Sequence, residues 1–166
     1  AKLPLPDVPL LESISAASRA RIPQFSPQDM AISAWSVATL KYADHPLLEA
    51  IAAAARPKIP QFAPQNLANP AWSLAELLLP HEPLLHSIAS SALRTIEAFG
   101  QQHFANTSWA LAKCGCEDPP LFAAIASAAI AKIRDFVPQG LANTAWAFAA
   151  RQVADAEPLL DAIAAS

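Results

Sequence analysis

Phe136-Val137-Pro138-Gln139-Gly140-Leu141-Ala142-Asn143-Thr144-Ala145-Trp146-Ala147-Phe148-Ala149 is the last of four related stretches in this chain of 166 residues. The other three begin at Phe25, Phe62 and Phe99, so the stretch returns every 37 residues. The chain's tryptophans keep the same spacing, at Trp35, Trp72, Trp109 and Trp146. Self-similarity at a fixed period of about 20–50 residues is typical of solenoid proteins. The sequence therefore predicts a stack of similar units.

A second phrase, Pro-Leu-Leu or Pro-Leu-Phe, shares this period. It begins at Pro9, Pro46, Pro83, Pro120 and, one residue late, Pro158. We predict that each proline opens a helix, called the B helix, because the first turn of a helix tolerates a residue without an N–H group. The aromatic stretch predicts a second helix, called the A helix, because its apolar residues recur at i, i+4 and i+7.

These patterns predict an all-α fold, an α-solenoid of about four 37-residue helix-pair repeats. Nine helices should alternate from B to A without a strand, forming one array over residues 1–166. The expected units are 9–45, 46–82, 83–119 and 120–157, with a partial unit at 158–166, and the proline-rich residues 1–8 should form the end of an inter-helix loop. Neither end shows a polar capping helix, so we expect a longer parent array or a partner that covers the ends.

The four tryptophans are predicted to be structural. Met30, Ala34 and Val37 form the buried stripe of the first A helix, and the residues beside each indole are small or apolar. We therefore expect inter-helix wedges rather than platforms for base stacking, and Trp72→Ala should cost about 3–5 kcal/mol. Pro70 lies inside the second A helix and is expected to kink it or delay its start.

Subtracting the buried stripe leaves one row on each A helix, at i, i+3, i+4 and i+7. Its first member differs in all four copies, as expected of a modular reader of single-stranded RNA, in which each repeat contacts one base. The alternative is an ordinary solvated surface, and the shared asparagines could instead bond to the adjoining helix. The candidate ligand-binding residues are Asp29, Ser33, Ser36, Asn66, Asn69, Ser73, His103, Asn106, Thr107, Asn143 and Thr144.

Charges follow the repeats as well. Acidic residues collect in the A-to-B turns, at Asp7, Asp44, Glu82, Glu117, Asp118, Asp155 and Glu157. Basic residues collect at the ends of the B helices. Helix dipoles alone favour this arrangement, whereas the functional alternative is a basic edge that follows a phosphate backbone. The candidate phosphate contacts are Arg19, Arg21, Arg56, Lys58, Arg94, Lys132 and Arg134.

Composition narrows the possible functions. The net charge of −3 is not typical of a nucleic-acid-binding protein, and no apolar run reaches the length of a membrane span. Cys114 and Cys116 are expected to be buried or inert thiols, because no further ligands have metal-site spacing. The histidines, His45, His81, His86 and His103, do not occupy equivalent positions and have no nucleophile–base arrangement around them. We therefore expect no catalytic site, metal or cofactor.

The motif Phe-x-Pro-Gln-x-Leu-Ala-Asn-Thr-Ala-Trp-Ala-x-Ala, at residues 136–149 and echoed at 62–75, resembles the heptatricopeptide and octotricopeptide repeat families. These are organellar α-solenoids of paired helices. The resemblance covers nearly the whole chain, although Gln101 replaces the usual proline and Ile32 the usual asparagine. It implies binding of single-stranded RNA in the gene expression of a chloroplast or mitochondrion.

Two non-catalytic functions remain open. The first is a single-stranded RNA-binding module, in which four copies would contact about four bases. The second is a scaffold or linker that binds other protein subunits of a large organellar assembly, such as a mitochondrial ribosome or a photosynthetic complex. The acidic balance and the uncapped ends favour the second, and the resemblance favours the first.

Overall fold

Helices account for most of the computed structural model, which describes residues 7–153 and 156–166. Their bounds are α1 (Val8–Arg21), α2 (Pro27–Thr39), α3 (His45–Ala55), α4 (Pro64–Glu76), α5 (Glu82–Arg94), α6 (Gln101–Lys113), α7 (Pro119–Ala131), α8 (Pro138–Ala150) and α9 (Glu157–Ala164). No strand occurs in the described residues, and the predicted all-α fold is confirmed. Most of the predicted N-terminal loop, and Asp155, lie outside these residues, while Val8 already belongs to α1.

The four A helices, α2, α4, α6 and α8, each have 13 residues and form one continuous row. They lie closer to one another than the B helices do. Small buried residues such as Ala68, Ala105 and Ala110 permit this, and Ala105 lies beside Gly140 of the next A helix. Such close contacts leave no room for large side chains between neighbouring A helices.

Each A helix packs against the B helix that follows it, through a turn with a left-handed residue. That residue always occupies the same repeat position, at Lys41, Leu78, Gly115 and Gln152. The next residue donates its N–H back to a carbonyl five positions earlier, for example Cys116 to Leu111 at 2.9 Å. This is the Schellman arrangement, in which glycine is preferred because it has no Cβ. Only one of the four turns uses glycine.

The turn at Gly115 provides a test of this geometry. Its φ is +73° and a Cβ would meet nothing within 4 Å, so Gly115→Ala changes only the backbone preference. We expect a loss of about 1 kcal/mol in the free energy of unfolding, measured by urea denaturation. Leu78→Ala is the matched control, because Leu78 is left-handed already and largely exposed. Equal losses of stability in both variants would contradict the left-handed backbone of Gly115 as the cause of the loss.

The B helices begin at side-chain caps that occupy one repeat position. Asp7, Asp44 and Asp118 accept the N–H of the residue three positions later at 3.0–3.1 Å, and His81 does the same through Nδ1. Capping satisfies N–H groups that have no partner within the helix. At these positions the acidic A-to-B turns are therefore explained by helix capping.

The core lies between the two rows of helices. Ile51, Ile88 and Ile125 are buried at one repeat position, but Ile14 at the same position in α1 is exposed. Leu10 of α1 is exposed as well, whereas Leu11 is half-buried. The reason is that no A helix precedes α1 among the described residues, so nothing covers this face.

The delayed start predicted from Pro70 does not occur. Helix α4 runs unbroken from Pro64 to Glu76, with the same length as the other A helices, and the proline ring is buried inside it. The ring fills the position that Thr107 and Thr144 hold in the next two A helices, at the contact with the preceding A helix. Packing of the neighbours therefore outweighs the local preference of proline to end a helix.

Candidate functional site

The row of candidate ligand-binding residues is not one exposed line. Ser33 and Ser36 are half-buried in α2, but Ser73, Thr107 and Thr144 at the corresponding positions of α4, α6 and α8 are buried. These positions face the preceding A helix, and α2 is the one A helix that has none before it among the described residues. The prediction that Ser73, Thr107 and Thr144 meet a ligand is therefore wrong, because the neighbouring helix occupies that side.

The variable first member of the row belongs to the helix start. The Asp29 carboxylate accepts the N–H and the hydroxyl of Ser26 at 2.8 and 2.7 Å, which lowers the pKa of Asp29. His103 Nδ1 accepts the Gly100 N–H at 3.0 Å. Asn66 is half-buried at this position, and no side-chain bond to a described residue involves it. The variation at Asp29 and His103 therefore reflects different ways of capping a helix.

The start of the fourth A helix is capped by a side chain from the preceding A helix. At Gly140 there is no side chain, and the Gln101 Oε1 of the preceding A helix accepts the Val137 N–H at 3.1 Å. A Cβ on Gly140 would lie only 2.9 Å from that oxygen. Gln101, which departs from the proline of the other copies, thus caps the next unit, and glycine leaves space for it.

The cap at His103 predicts a dependence of stability on pH. Burial lowers the pKa of His103 below its ordinary value, and the Lys132 ammonium lowers it further. The neutral imidazole accepts a hydrogen bond, whereas the protonated ring cannot. Its contribution should be complete above pH of about 6.5, the unfolded pKa, and should be lost as the pH falls through the folded pKa.

We expect His103→Asp to lack this acid step, because a carboxylate keeps the acceptor as Asp29 does in α2. Urea denaturation at several pH values measures the free energy of unfolding of both proteins. Subtracting one curve from the other cancels the titration of the other histidines, which both proteins share. Parallel stability curves for the two proteins below pH of about 6.5 would contradict this role of His103.

The tryptophans are not buried wedges. Trp35 and Trp146 are 45% and 48% exposed, and Trp72 and Trp109 are half-buried. The prediction of buried indoles is therefore wrong for Trp35 and Trp146, whereas Trp109 packs partly against the core. The indoles lie instead on the surface of the A row that faces away from the B helices.

Two other repeated residues share this surface. A glutamine lies seven residues before each tryptophan, and in three copies an asparagine lies three residues before it. Together with the tryptophan they have the spacing i, i+4 and i+7, which places them on one face of a helix. We call this the amide–indole stripe. Its members are Gln28, Ile32 and Trp35; Gln65, Asn69 and Trp72; Gln102, Asn106 and Trp109; and Gln139, Asn143 and Trp146.

Part of this surface forms a groove with a volume of about 400 Å³. It crosses all four A helices and is lined by members of the stripe, including Trp35, Trp72, Gln102, Asn106, Gln139 and Asn143. No described residue forms a hydrogen bond with the carboxamides of these glutamines and asparagines. The expected bonds from the shared asparagines to the adjoining helix are therefore absent, and each amide is free to bind something else.

Charged residues lie at the C-terminal end of the stripe. Glu76 pairs with Lys41 and lies 3.9 Å from the Lys113 Nζ, and that Nζ lies 4.4 Å from the Trp109 ring centroid. The Trp109 and Trp146 centroids are 6.5 Å apart. These contacts hold Trp109 in place and neutralise much of the local charge.

The basic candidates divide into two groups. Lys58 donates to the Phe25 carbonyl at 2.7 Å, and Lys132 donates to the Glu97 and Phe99 carbonyls at 2.8 and 2.7 Å. Both lysines therefore join the linkers of successive units, and their assignment as phosphate contacts stays a prediction. The exposed members of the set are Arg19, Arg21, Arg56, Arg94 and Arg134. They lie where B helices end, close to the starts of the A helices.

The thiols of Cys114 and Cys116 are poor candidates for a nucleophile or a metal ligand. Burial raises the pKa of Cys114 to about 11 and also raises the pKa of Cys116, so both stay protonated at neutral pH. Cys114 is half-buried and Cys116 is buried, with its Sγ 4.0 Å from His86 Nε2. Over residues 7–153 and 156–166, no three His, Cys, Asp or Glu side chains group as metal ligands.

Comparisons with protein-family models and with curated proteins found no match to this chain. Among the described helices, none is both long and apolar enough to cross a membrane.

Proposed function

We propose that this chain binds single-stranded RNA along the amide–indole stripe, without catalysis. The observation that carries the proposal is the repetition of indoles, two of them exposed and two half-buried, beside unpaired carboxamides on one surface of the stacked A helices. Indoles provide flat faces for stacking bases, and carboxamides both donate and accept hydrogen bonds at base edges. An apolar protein partner would not need an amide beside each tryptophan.

The charge distribution is compatible with one path for the strand. The exposed arginines at the ends of the B helices lie near the glutamine end of the stripe, while Glu76 lies at the other end. A phosphate backbone would follow the arginine side and its bases would lie across the indoles. The resemblance to the organellar repeat families supports the same ligand and adds an organellar location to the proposal.

Removing an indole tests the proposal directly. Fluorescence anisotropy with a labelled single-stranded RNA of about 12 nucleotides should show binding that weakens as salt rises. Stacking on an indole contributes about 1–3 kcal/mol, so Trp72→Ala should weaken binding about tenfold or more. Leu93→Ala, an exposed apolar position on α5 outside the groove, is the matched control.

Circular dichroism should show that both variants keep the helical content of the parent chain. Binding that is absent, or that is unaffected by salt and by Trp72→Ala, would contradict the proposal. Equal weakening in the Leu93→Ala variant would contradict the assignment to the stripe.

A second function is supported by another surface. Val8, Leu10 and Ile14 leave an apolar face exposed on α1, where the other B helices are covered. Such a face is typical of a contact with another protein or another helical unit. A scaffold function predicts that Ile14→Glu abolishes association measured by light scattering and leaves RNA affinity unchanged, whereas a monodisperse parent chain would oppose it.

A further inference from the structure

The amide–indole stripe is identical in three successive units. Gln65, Asn69 and Trp72 of α4 recur without change in α6 and α8, at spacings that place them on one face of each helix. Trp72, Gln102, Asn106, Gln139 and Asn143 line the groove. Several of the positions that do differ between these units are used inside the protein. His103 caps its own helix, Gln101 caps the next one, and Glu76 is paired with two lysines.

Identical side chains on identical helices offer identical hydrogen-bonding groups to a ligand. If each unit contacts one base, three successive units therefore select the same base three times. The first unit differs, because Ile32 replaces asparagine and is 47% exposed on the same surface. It retains Trp35 for stacking but has no asparagine amide to contact a base edge.

On this basis we propose that the stripe binds a run of adenines in single-stranded RNA, with three bases bound by two amides each and a fourth stacked on Trp35 beside the single amide of Gln28. The inference rests on the proposed function. Asparagine and glutamine amides pair with adenine in a bidentate way, donating to a ring nitrogen and accepting from the exocyclic amino group. Each of the three identical units holds two such amides beside an indole, so one base can be stacked and bonded at its edge together.

The first experiment compares ligands. Anisotropy titrations use oligonucleotides of about 12 residues: oligo(A), oligo(U), oligo(C) and a mixed sequence without adjacent adenines. We expect oligo(A) to bind at least about tenfold more tightly than the mixed sequence, because three base contacts are gained. Equal affinities, or preference for oligo(U) or oligo(C), would overturn the adenine assignment while leaving RNA binding intact. Absence of binding to every RNA would overturn both proposals.

The second experiment adds the missing amide. Ile32→Asn gives the first unit the side chains of the other three, and its position is exposed, so folding is not at risk. We expect about tenfold tighter binding to oligo(A) and no change for the mixed sequence. Leu93→Asn places the same side chain outside the groove and is the control. A gain for every RNA, a gain shared by the control, or no gain would overturn the proposal.

Discussion

Phe104→Ala is expected to lower the free energy of unfolding by about 3–5 kcal/mol. The Phe104 ring is fully buried in α6, with the Phe99 ring centroid 5.7 Å away and the Phe136 ring stacked at 6.3 Å. These aromatic rings come from two successive linkers and the helix between them. Removing the central ring therefore leaves a cavity that the surrounding backbone cannot close.

Trp35→Ala is the informative comparison for Phe104→Ala. Trp35 is the larger residue, and burial of its whole indole would contribute more, but 45% of the side chain is already in water. We expect a loss of no more than about 2 kcal/mol. Urea denaturation of both variants measures the two losses. A larger loss for Trp35→Ala than for Phe104→Ala would restore the prediction of buried tryptophans and contradict the surface stripe.

The period of the sequence was enough to predict where the helices lie. Proline at the first turn and the recurring Phe placed the A helices close to their observed starts at Pro27, Pro64, Gln101 and Pro138. Regular helices separated by short linkers follow from local preferences, which a sequence displays directly. The all-α fold depends only on those preferences.

Which side of each A helix meets the next one was not predictable by the same means. In an alanine-rich helix, several faces are apolar, so periodicity does not distinguish the core from the contact between stacked helices. The sequence predicts buried wedges at the tryptophans because the residues beside each indole are small or apolar. Trp35 and Trp146 are exposed instead, because contacts at small residues such as Ala68 and Ala105 leave no room for an indole.

One pattern in the sequence could have located the exposed face. Gln65 and Asn69 precede Trp72 at helical spacing, and the same glutamine precedes every tryptophan. Two unpartnered amides aligned with an indole indicate a surface, because a buried amide needs hydrogen-bond partners. The helix caps at Asp29 and His103, by contrast, resembled variable recognition residues, and only their bonds to Ser26 and Gly100 reveal their role.

Thr107→Val is expected to raise the free energy of unfolding by about 1–2 kcal/mol. Thr107 is fully buried between α4 and α6, and its Oγ1 has no hydrogen-bond partner among the described residues. A buried hydroxyl without a partner has lost its water and gained nothing in exchange. Valine has nearly the same shape and helix propensity, so the substitution removes the unpaired oxygen without opening a cavity.

Thr144→Val at the same repeat position is the matched control, and it should have the opposite sign. Thr144 Oγ1 donates to the Gly140 carbonyl at 2.8 Å, so valine removes a hydrogen bond that is made. We expect a loss of about 0.5–1 kcal/mol. Both variants replace threonine by valine on equivalent helices, so the contributions of helix propensity and hydrophobic transfer cancel when the two changes in unfolding free energy are subtracted. Thermal or urea denaturation measures both changes. Equal changes in the two variants would show that the Thr107 hydroxyl is hydrogen-bonded in solution.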